Sequence, residues 1–169
     1  MSNALADSVI STLGAEMVTA SEFRDELTLH CGRENMLALL THLKDVQGFE
    51  MLTDETCIDY LPKEPRFGML YQLYSLKRNL RVRIKVMLSE YDAVLPSACS
   101  VYENANWLER EIYDLMGIQF SNHPDLRRIM MPPGWEGHPL RRDIPVKVEE
   151  VAFSFNQKRI NEGKIFAGE

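Results

Sequence analysis

The sequence predicts an α+β fold: a two-layer domain with helices packed on one face of a mixed sheet, followed by an extended arm rich in proline and arginine. Helix-like and strand-like periodicities alternate up to about residue 118, in the order helix, strands, helix, strands. Residues 121–145 then hold five of the eight prolines and four arginines without a sustained period. We therefore predict a domain over residues 1–118 and a partner-docking arm and tail over residues 119–169.

Two amphipathic helices are predicted in the first part of the domain. The first runs from about residue 4 to Gly14 and carries Leu5, Val9 and Leu13 on one face. The second covers residues 34–44 and gathers its apolar side chains into one arc. These side chains are Met36, Leu37, Leu39, Leu40 and Leu43. We expect both apolar faces to lie against the sheet.

The strands are predicted from alternation and turn residues. Residues 17–23 and 26–31 form two short strands around a turn, and residues 49–60 and 68–76 are extended. Residues 80–88 show the clearest alternation, and with residues 68–76 they predict a hairpin. The basic stripe of Arg81, Arg83 and Lys85 is interpreted as the solvated face of this strand, which could also meet an acidic partner.

Composition excludes several functions. A net charge of -6 over 169 residues argues against nucleic acid as a main partner. No apolar run approaches the roughly 18 to 20 residues that span a bilayer, so any membrane association is expected to be indirect. Cys31, Cys57 and Cys99 are scattered without a CxxC spacing, which predicts reduced, partly buried thiols rather than cluster or zinc ligands.

A further helix is predicted over residues 107–116. Asn106 and Glu109 have the spacing of a capping box, and Gly117 is placed to end the helix in a left-handed conformation. Arg110 and Asp114 are four residues apart, on the side opposite the apolar residues, so we expect them to form an ion pair.

The acidic residues of this helix suggest catalysis or metal binding, and an ordinary solvated helix face is the alternative. Glu109 points away from Glu111 and Asp114 on a regular helix, so the three carboxylates do not converge on one ion. His123 and His138 are 15 residues apart, and each precedes a proline without Cys or clustered carboxylates nearby in the sequence. We interpret both histidines as packed or exposed side chains.

The arm carries more apolar surface than a free tail would. Its apolar residues include Phe120, Leu126, Ile129, Met130, Met131, Trp135 and Leu140. The prolines prevent regular structure, so the arm either wraps its own domain or lies on another protein. The arginine pairs at positions 127–128 and 141–142 suit contacts with carboxylates or free carbonyl groups.

These motifs together resemble the signature of the 30-kDa subunit family of respiratory complex I. The helix residues Glu109-Arg110-Glu111 and Asp114-Leu115-Met116 are followed at fixed spacing by His123, by Arg127-Arg128-Ile129-Met130 and by Gly137-His138-Pro139-Leu140-Arg141-Arg142-Asp143. The family signature and predicted subunit interface comprise Glu109, Arg110, Glu111, Asp114, Gly117, Phe120, His123, Pro124, Arg127, Arg128, Trp135, Gly137, Pro139, Leu140, Arg141, Arg142 and Asp143.

The resemblance implies a non-redox scaffold in the peripheral arm of a bacterial NADH–quinone oxidoreductase, on the cytoplasmic side of the cell membrane. Such a complex passes electrons from NADH through FMN and iron–sulfur clusters to quinone and translocates protons. The resemblance places these cofactors on other subunits and implies no catalytic, cofactor or metal site in this chain. The expected partners are the 49-kDa-type subunit and neighbouring iron–sulfur subunits, so Trp135→Ala or Arg141→Ala should weaken assembly more than domain stability.

Two alternatives remain at this point. The chain could be the equivalent subunit of a related membrane-bound hydrogenase or ferredoxin-dependent complex. It could also be a free-standing enzyme, which would require Glu111 and His123 to converge on a ligand or metal ion.

Overall fold

The computed structural model describes residues 2–132, 134–144 and 162. The helices are α1 (Ser2–Leu13), α2 (Met36–Asp45) and α3 (Ala105–Met116). The strands are β1 (Val18–Phe23), β2 (Glu26–Cys31), β3 (Met51–Asp59), β4 (Phe67–Ser75), β5 (Leu80–Leu88), β6 (Val94–Pro96) and β7 (Gln119–Ser121). Apart from residue 162, the predicted tail from position 145 onward lies outside the described residues.

Five strands form one mixed sheet in the order β1-β2-β5-β4-β3. Strand β5 runs parallel to β2 and antiparallel to β4, with which it forms the predicted hairpin. The α+β class is therefore confirmed. Strand β6 pairs in parallel with β7 in a separate two-stranded sheet that sequence periodicity did not predict, since three-residue strands are too short for a repeat.

The core lies between the sheet and the helices. Val82, Ile84 and Val86 of β5 are at most 1% exposed, as the alternation predicts. In α2, Met36, Leu39, Leu40 and Leu43 are fully buried, which contributes roughly 1.5 to 3 kcal/mol for each large side chain. Helix α2 begins at Met36 rather than at the predicted residue 34.

The opposite face of the sheet is polar, and its cations have local partners. Arg83 forms an ion pair with Glu26 at 2.6 Å, and Lys85 donates to the Tyr60 hydroxyl at 2.8 Å. The Arg81 guanidinium lies 5.9 Å from the centre of the Tyr74 ring. This arrangement fits the predicted solvated face.

Helix α3 lies beside the sheet edge formed by β3. In the sequence, α3 lies between the two paired strands: β6 precedes the helix, and β7 follows it after Gly117. Phe120 of β7 is buried in the same core cluster. In the described part of the chain, no helix is both long and apolar enough to cross a membrane.

Candidate functional site

The N-terminal half of α3 is anchored by a different contact from the predicted capping box. The helix starts at Ala105, and Asn104 precedes it without capping it through its side chain. The Glu109 carboxylate instead accepts hydrogen bonds from the Ser97 hydroxyl at 2.6 Å and the Ala98 backbone N–H at 2.5 Å. The capping-box prediction is therefore wrong, because Glu109 faces a turn that lies outside its own helix.

Glu109, Cys99 and His123 lie together in space although they are far apart in the sequence. Glu109 Oε2 is 3.6 Å from Cys99 Sγ and 3.7 Å from His123 Nε2. Burial raises the pKa of the Glu109 carboxyl, and burial also raises the pKa of the Cys99 thiol to about 11. The expectation that no cysteine or clustered carboxylates lie near His123 was made from the sequence, but the folded chain brings Cys99 and Glu109 to it.

The hydrogen bonds of His123 argue against metal coordination by this group of three. His123 Nδ1 lies 3.0 Å from the Asp125 backbone N–H, which can only donate, so Nδ1 must accept. The ring proton is then on Nε2, which lies 3.2 Å from the Asn106 carbonyl oxygen, a group that can only accept. Nε2 therefore has no free lone pair for a metal ion, and His123 serves to hold the arm against α3.

Arg110 is buried against the arm and does not pair with Asp114. Its Nε donates to the Arg127 carbonyl oxygen at 3.2 Å, and its guanidinium lies 5.0 Å from the centre of the Trp107 ring. The predicted ion pair between Arg110 and Asp114 is therefore wrong. Both residues are buried, although helical periodicity placed them on the polar face.

Asp114 is the centre of the contact between α3 and the arm. One carboxylate oxygen accepts from Arg128 at 2.8 Å, and the other accepts from the backbone N–H groups of Ile129, Met130 and Met131 at 2.7 to 3.0 Å. Burial alone would raise the pKa of the Asp114 carboxyl, but these four donors outweigh it and hold the pKa below its usual value. Asp114 thereby shapes the arm at residues 128–131.

The C-terminus of α3 is capped by the arm. The last carbonyl groups of a helix lack partners within it. Here the Asp114 carbonyl accepts from His138 Nδ1 at 2.9 Å, the Leu115 carbonyl from the Leu140 N–H at 3.1 Å, and the Met116 carbonyl from Arg141 Nε at 2.7 Å. The arm therefore completes the helix.

Gly117 makes this close approach possible. The helix ends there in the predicted left-handed conformation, with φ of 75°. A Cβ at this position would lie 2.5 Å from the His138 ring and would also meet the Arg141 guanidinium. Gly117 is therefore required both for its conformation and for the space that it leaves.

The last described part of the arm is bound to the end of β3 and to the loop between β3 and β4. The Arg142 N–H donates to Asp59 at 2.9 Å, and the Arg142 side chain donates to the Leu61 carbonyl at 3.1 Å. Asp143 pairs with Arg66 at 3.2 Å. Sequence reasoning missed Asp59 and Arg66, because neither belongs to a motif and only their contacts mark them.

The remaining predicted site residues divide by exposure. Phe120 is buried, Pro139 is half-buried, and Gly137 has φ of 83° and accepts from Arg128 through its carbonyl oxygen. Glu111, Pro124, Arg127, Trp135 and Leu140 are exposed. The outer side of the arm also exposes other apolar side chains. Five of these side chains are 37 to 62% exposed, and we call them the outer apolar residues: Ile129, Met130, Trp135, Leu140 and Ile144.

The site is thus a folded arm with polar contacts on its inner side and apolar side chains on its outer side. Glu111 is exposed, whereas His123 contacts Glu109, so the geometry does not bring together the two residues that a free-standing enzyme would need. The arrangement suits the binding of another macromolecule.

Comparison with known proteins gives a consistent set of relatives. Residues 29–150 match the family model described as the 30 Kd subunit of respiratory-chain NADH dehydrogenase. The chain is 47% identical to the NADH-quinone oxidoreductase C subunit of Geotalea uraniireducens over 133 residues, 79% of this chain and 81% of the relative. It is 43% identical to the same-named protein of Roseiflexus castenholzii over 155 residues, 90% of this chain and 89% of the relative.

Two solved structures have a similar fold. A trypsin-resistant fragment of Nqo5, residues 1-134, aligns with a TM-score of 0.65 at 31% identity and covers 75% of this chain and 100% of the fragment. A chain from an archaeal membrane-bound sulfane sulfur reductase aligns with a TM-score of 0.74 over 99% of this chain and 95% of that chain. At 17% identity, the second likeness concerns the fold alone.

Proposed function

The chain belongs to the family of the 30-kDa subunit of respiratory-chain NADH dehydrogenase, and from this membership we propose that it is a non-redox subunit of an NADH–quinone oxidoreductase. The observation that carries the proposal is the match over residues 29–150, together with relatives of that name at 43 to 47% identity. In this role the chain supports electron transfer from NADH to quinone, coupled to proton translocation. FMN, the iron–sulfur clusters, NADH and quinone are bound by other subunits, and the isolated chain is not catalytic.

The docking surface of the protein is the outer side of the arm. The outer apolar residues lie on a segment whose inner contacts hold it in place, which suits a binding surface better than a loose tail does. The partner is the 49-kDa-type subunit, with iron–sulfur subunits as further neighbours. The chain is then peripheral, on the cytoplasmic side of the bacterial membrane, and is attached through the complex.

The domain division is part of the same proposal. The predicted boundary at residue 118 falls just before β7, which pairs with β6 and buries Phe120. We therefore assign β7 to the domain and begin the docking arm after Ser121.

Trp135 and Leu140 are better probes of docking than Arg141, because the Arg141 guanidinium caps α3.

The test is affinity purification of the tagged chain from its native host in mild detergent, with mass spectrometry and an NADH–quinone assay of the eluate. Recovery of flavin, iron–sulfur and membrane subunits with NADH oxidation supports the proposal. Recovery of hydrogenase or ferredoxin-linked subunits would place the scaffold in a related complex, and catalysis by the lone chain would overturn the proposal.

Variants test the docking surface separately. Trp135→Ala and Leu140→Ala should each reduce recovery of partner subunits about tenfold, since exposed apolar anchors carry much of the binding energy at interfaces. The matched control is Phe23→Ala, which removes an aromatic side chain that is 72% exposed at the end of β1. Equal recovery from all three variants would contradict docking through the arm.

A further inference from the structure

We propose that Arg66 is the positioning residue of the docking arm and that it holds residues 141–143 on the domain before any partner binds. Arg66 is the first residue after the Glu64–Pro65 turn and directly precedes β4. Its side chain is 2% exposed. The part of this inference that concerns assembly rests on the proposed function, whereas the part that concerns the free chain does not.

The domain side of the contact is a buried bidentate ion pair. Arg66 Nε and Nη2 donate to the two Asp59 oxygens at 3.0 and 2.8 Å. The Asp59 carboxylate also accepts from the Leu61 N–H at 2.9 Å. The hydrogen bonds from Arg66 hold the pKa of Asp59 well below its usual value, so both partners stay charged. The pair therefore forms a rigid platform.

Two residues of the arm bind this ion pair. The Arg142 N–H donates to Asp59 Oδ2, which also accepts from Arg66 Nη2, and the Asp143 carboxylate lies 3.2 Å from Arg66 Nη2. Asp59 and Arg142 are 83 positions apart in the sequence. A buried guanidinium cannot rotate away without leaving Asp59 unpaired, which is costly. The Arg142 backbone and the Asp143 side chain are thereby attached to the end of β3 and to the loop that follows it.

The attachment affects docking because the attached residues lie between two of the outer apolar residues. Leu140 lies just before the attached residues and Ile144 just after them, and both belong to the outer apolar residues. The cap on α3 holds the segment through Leu140 and Arg141, while Arg66 holds it through Asp143. Ordering these residues during folding reduces the entropy cost of later binding.

The simpler alternative is that Arg66 stabilises only the domain. Its third carboxylate, Glu90, contacts the guanidinium at 2.5 Å and belongs to a short helical turn of the domain rather than to the arm. Glu90 and Asp143 are similarly exposed, at 41% and 46% for their side chains. Glu90→Ala and Asp143→Ala are therefore matched variants that leave the buried pair with Asp59 in place.

The first experiment measures backbone hydrogen exchange in the full free chain. Asp143→Ala should accelerate exchange at residues 137–144 about fivefold, the effect of losing a partly exposed charge-assisted hydrogen bond. Glu90→Ala should leave these residues unchanged. Equal acceleration in both variants, or none in Asp143→Ala, would overturn the inference. Arg66→Met is avoided because it leaves Asp59 buried without its partner.

The second experiment measures recovery of partner subunits with the same variants and with Trp135→Ala. Asp143→Ala should reduce recovery about fivefold, while Glu90→Ala should not. Trp135→Ala should reduce recovery without changing exchange at residues 141–143 in the free chain. If exchange responds as expected but no variant affects recovery, the docking proposal fails and the positioning role of Arg66 stands. If Trp135→Ala alone reduces recovery, docking stands and positioning for assembly is overturned.

Discussion

The contact between α2 and the sheet and the contact between α3 and the arm are stabilised in different ways. Leu39, Leu40 and Leu43 of α2 are fully buried by other apolar side chains. Helix α3 instead binds the arm through the Asp114 carboxylate and through its own terminal carbonyl groups. Apolar packing tolerates changes that preserve volume, whereas no side chain of similar shape can accept from all four donors of Asp114, because asparagine replaces one carboxylate oxygen with an NH2 group that donates.

The largest effect should come from Asp114→Ala. This change leaves Arg128 and three backbone N–H groups without their acceptor, so we expect a loss of about 4 kcal/mol in the free energy of unfolding. Urea denaturation of the full chain measures it. Glu111→Ala on the same helix is the control and should stay within about 0.5 kcal/mol.

Leu40→Ala should follow with a loss of about 3 kcal/mol, because it opens a cavity in the core. Conservative changes test whether the contact of α2 with the sheet tolerates substitution better than the contact of α3 with the arm. Leu40→Met should cost less than about 1.5 kcal/mol, whereas Asp114→Asn should cost about 2 kcal/mol since one amide donor then faces other donors. Similar losses for the two conservative variants would remove the distinction.

Gly117→Ala should cost about 1 to 2 kcal/mol, from the left-handed conformation and the close approach of His138. Because the arm lies against this position, we also expect faster hydrogen exchange at residues 138–141. Exchange that stays at the wild-type rate there would show that the arm accommodates a Cβ.

The smallest expected effect depends on pH and involves the core. The Glu55 oxygens and the Tyr71 hydroxyl are buried without hydrogen-bond partners that meet normal geometry. Burial and repulsion from Glu109 raise the pKa of Glu55 well above 4.5. Its stabilising contribution is therefore fully present below pH 4.5 and is lost as the pH rises toward the folded-state pKa.

Glu55→Gln should consequently become the more stable protein at alkaline pH, by on the order of 1 kcal/mol at pH 8. The difference should shrink as the pH falls to 4.5. Denaturation curves between pH 4.5 and 8 measure it, and a difference that does not change with pH would contradict a raised pKa. The pH dependence of stability has the opposite sign for Asp114. Because the pKa of Asp114 is lowered in the folded chain, its stabilising contribution is present at neutral pH and is lost only in acid.

Much of the fold could be predicted because it depends on neighbouring residues. The predicted strands at residues 26–31 and 80–88 match β2 and β5 in their bounds, and α2 differs by two residues at its start. In α3, however, Arg110 and Asp114 are buried where the helical pattern indicated a polar face. Periodicity assigns charged residues to solvent and cannot detect partners that reach them from a distant segment.

The candidate site was predicted as a set of residues but not as a set of contacts. The fixed spacing from Glu109 to Asp143 identified the family, and the family model confirms it. The same spacing did not indicate that Arg128 rather than Arg110 would pair with Asp114. Nor did it point to Arg66, which has no motif of its own.

The sequence by itself determined the helices, the five strands of the main sheet, the apolar core and the family, because each is expressed in residues that are close together or regularly spaced. Only the tertiary structure decided which side of the arm faces the domain. That choice depends on carboxylates and carbonyl groups up to 83 positions away, such as Asp59 for Arg142. Hydrogen bonds of this kind are directional and pairwise, so they become visible only when the chain has brought both partners together.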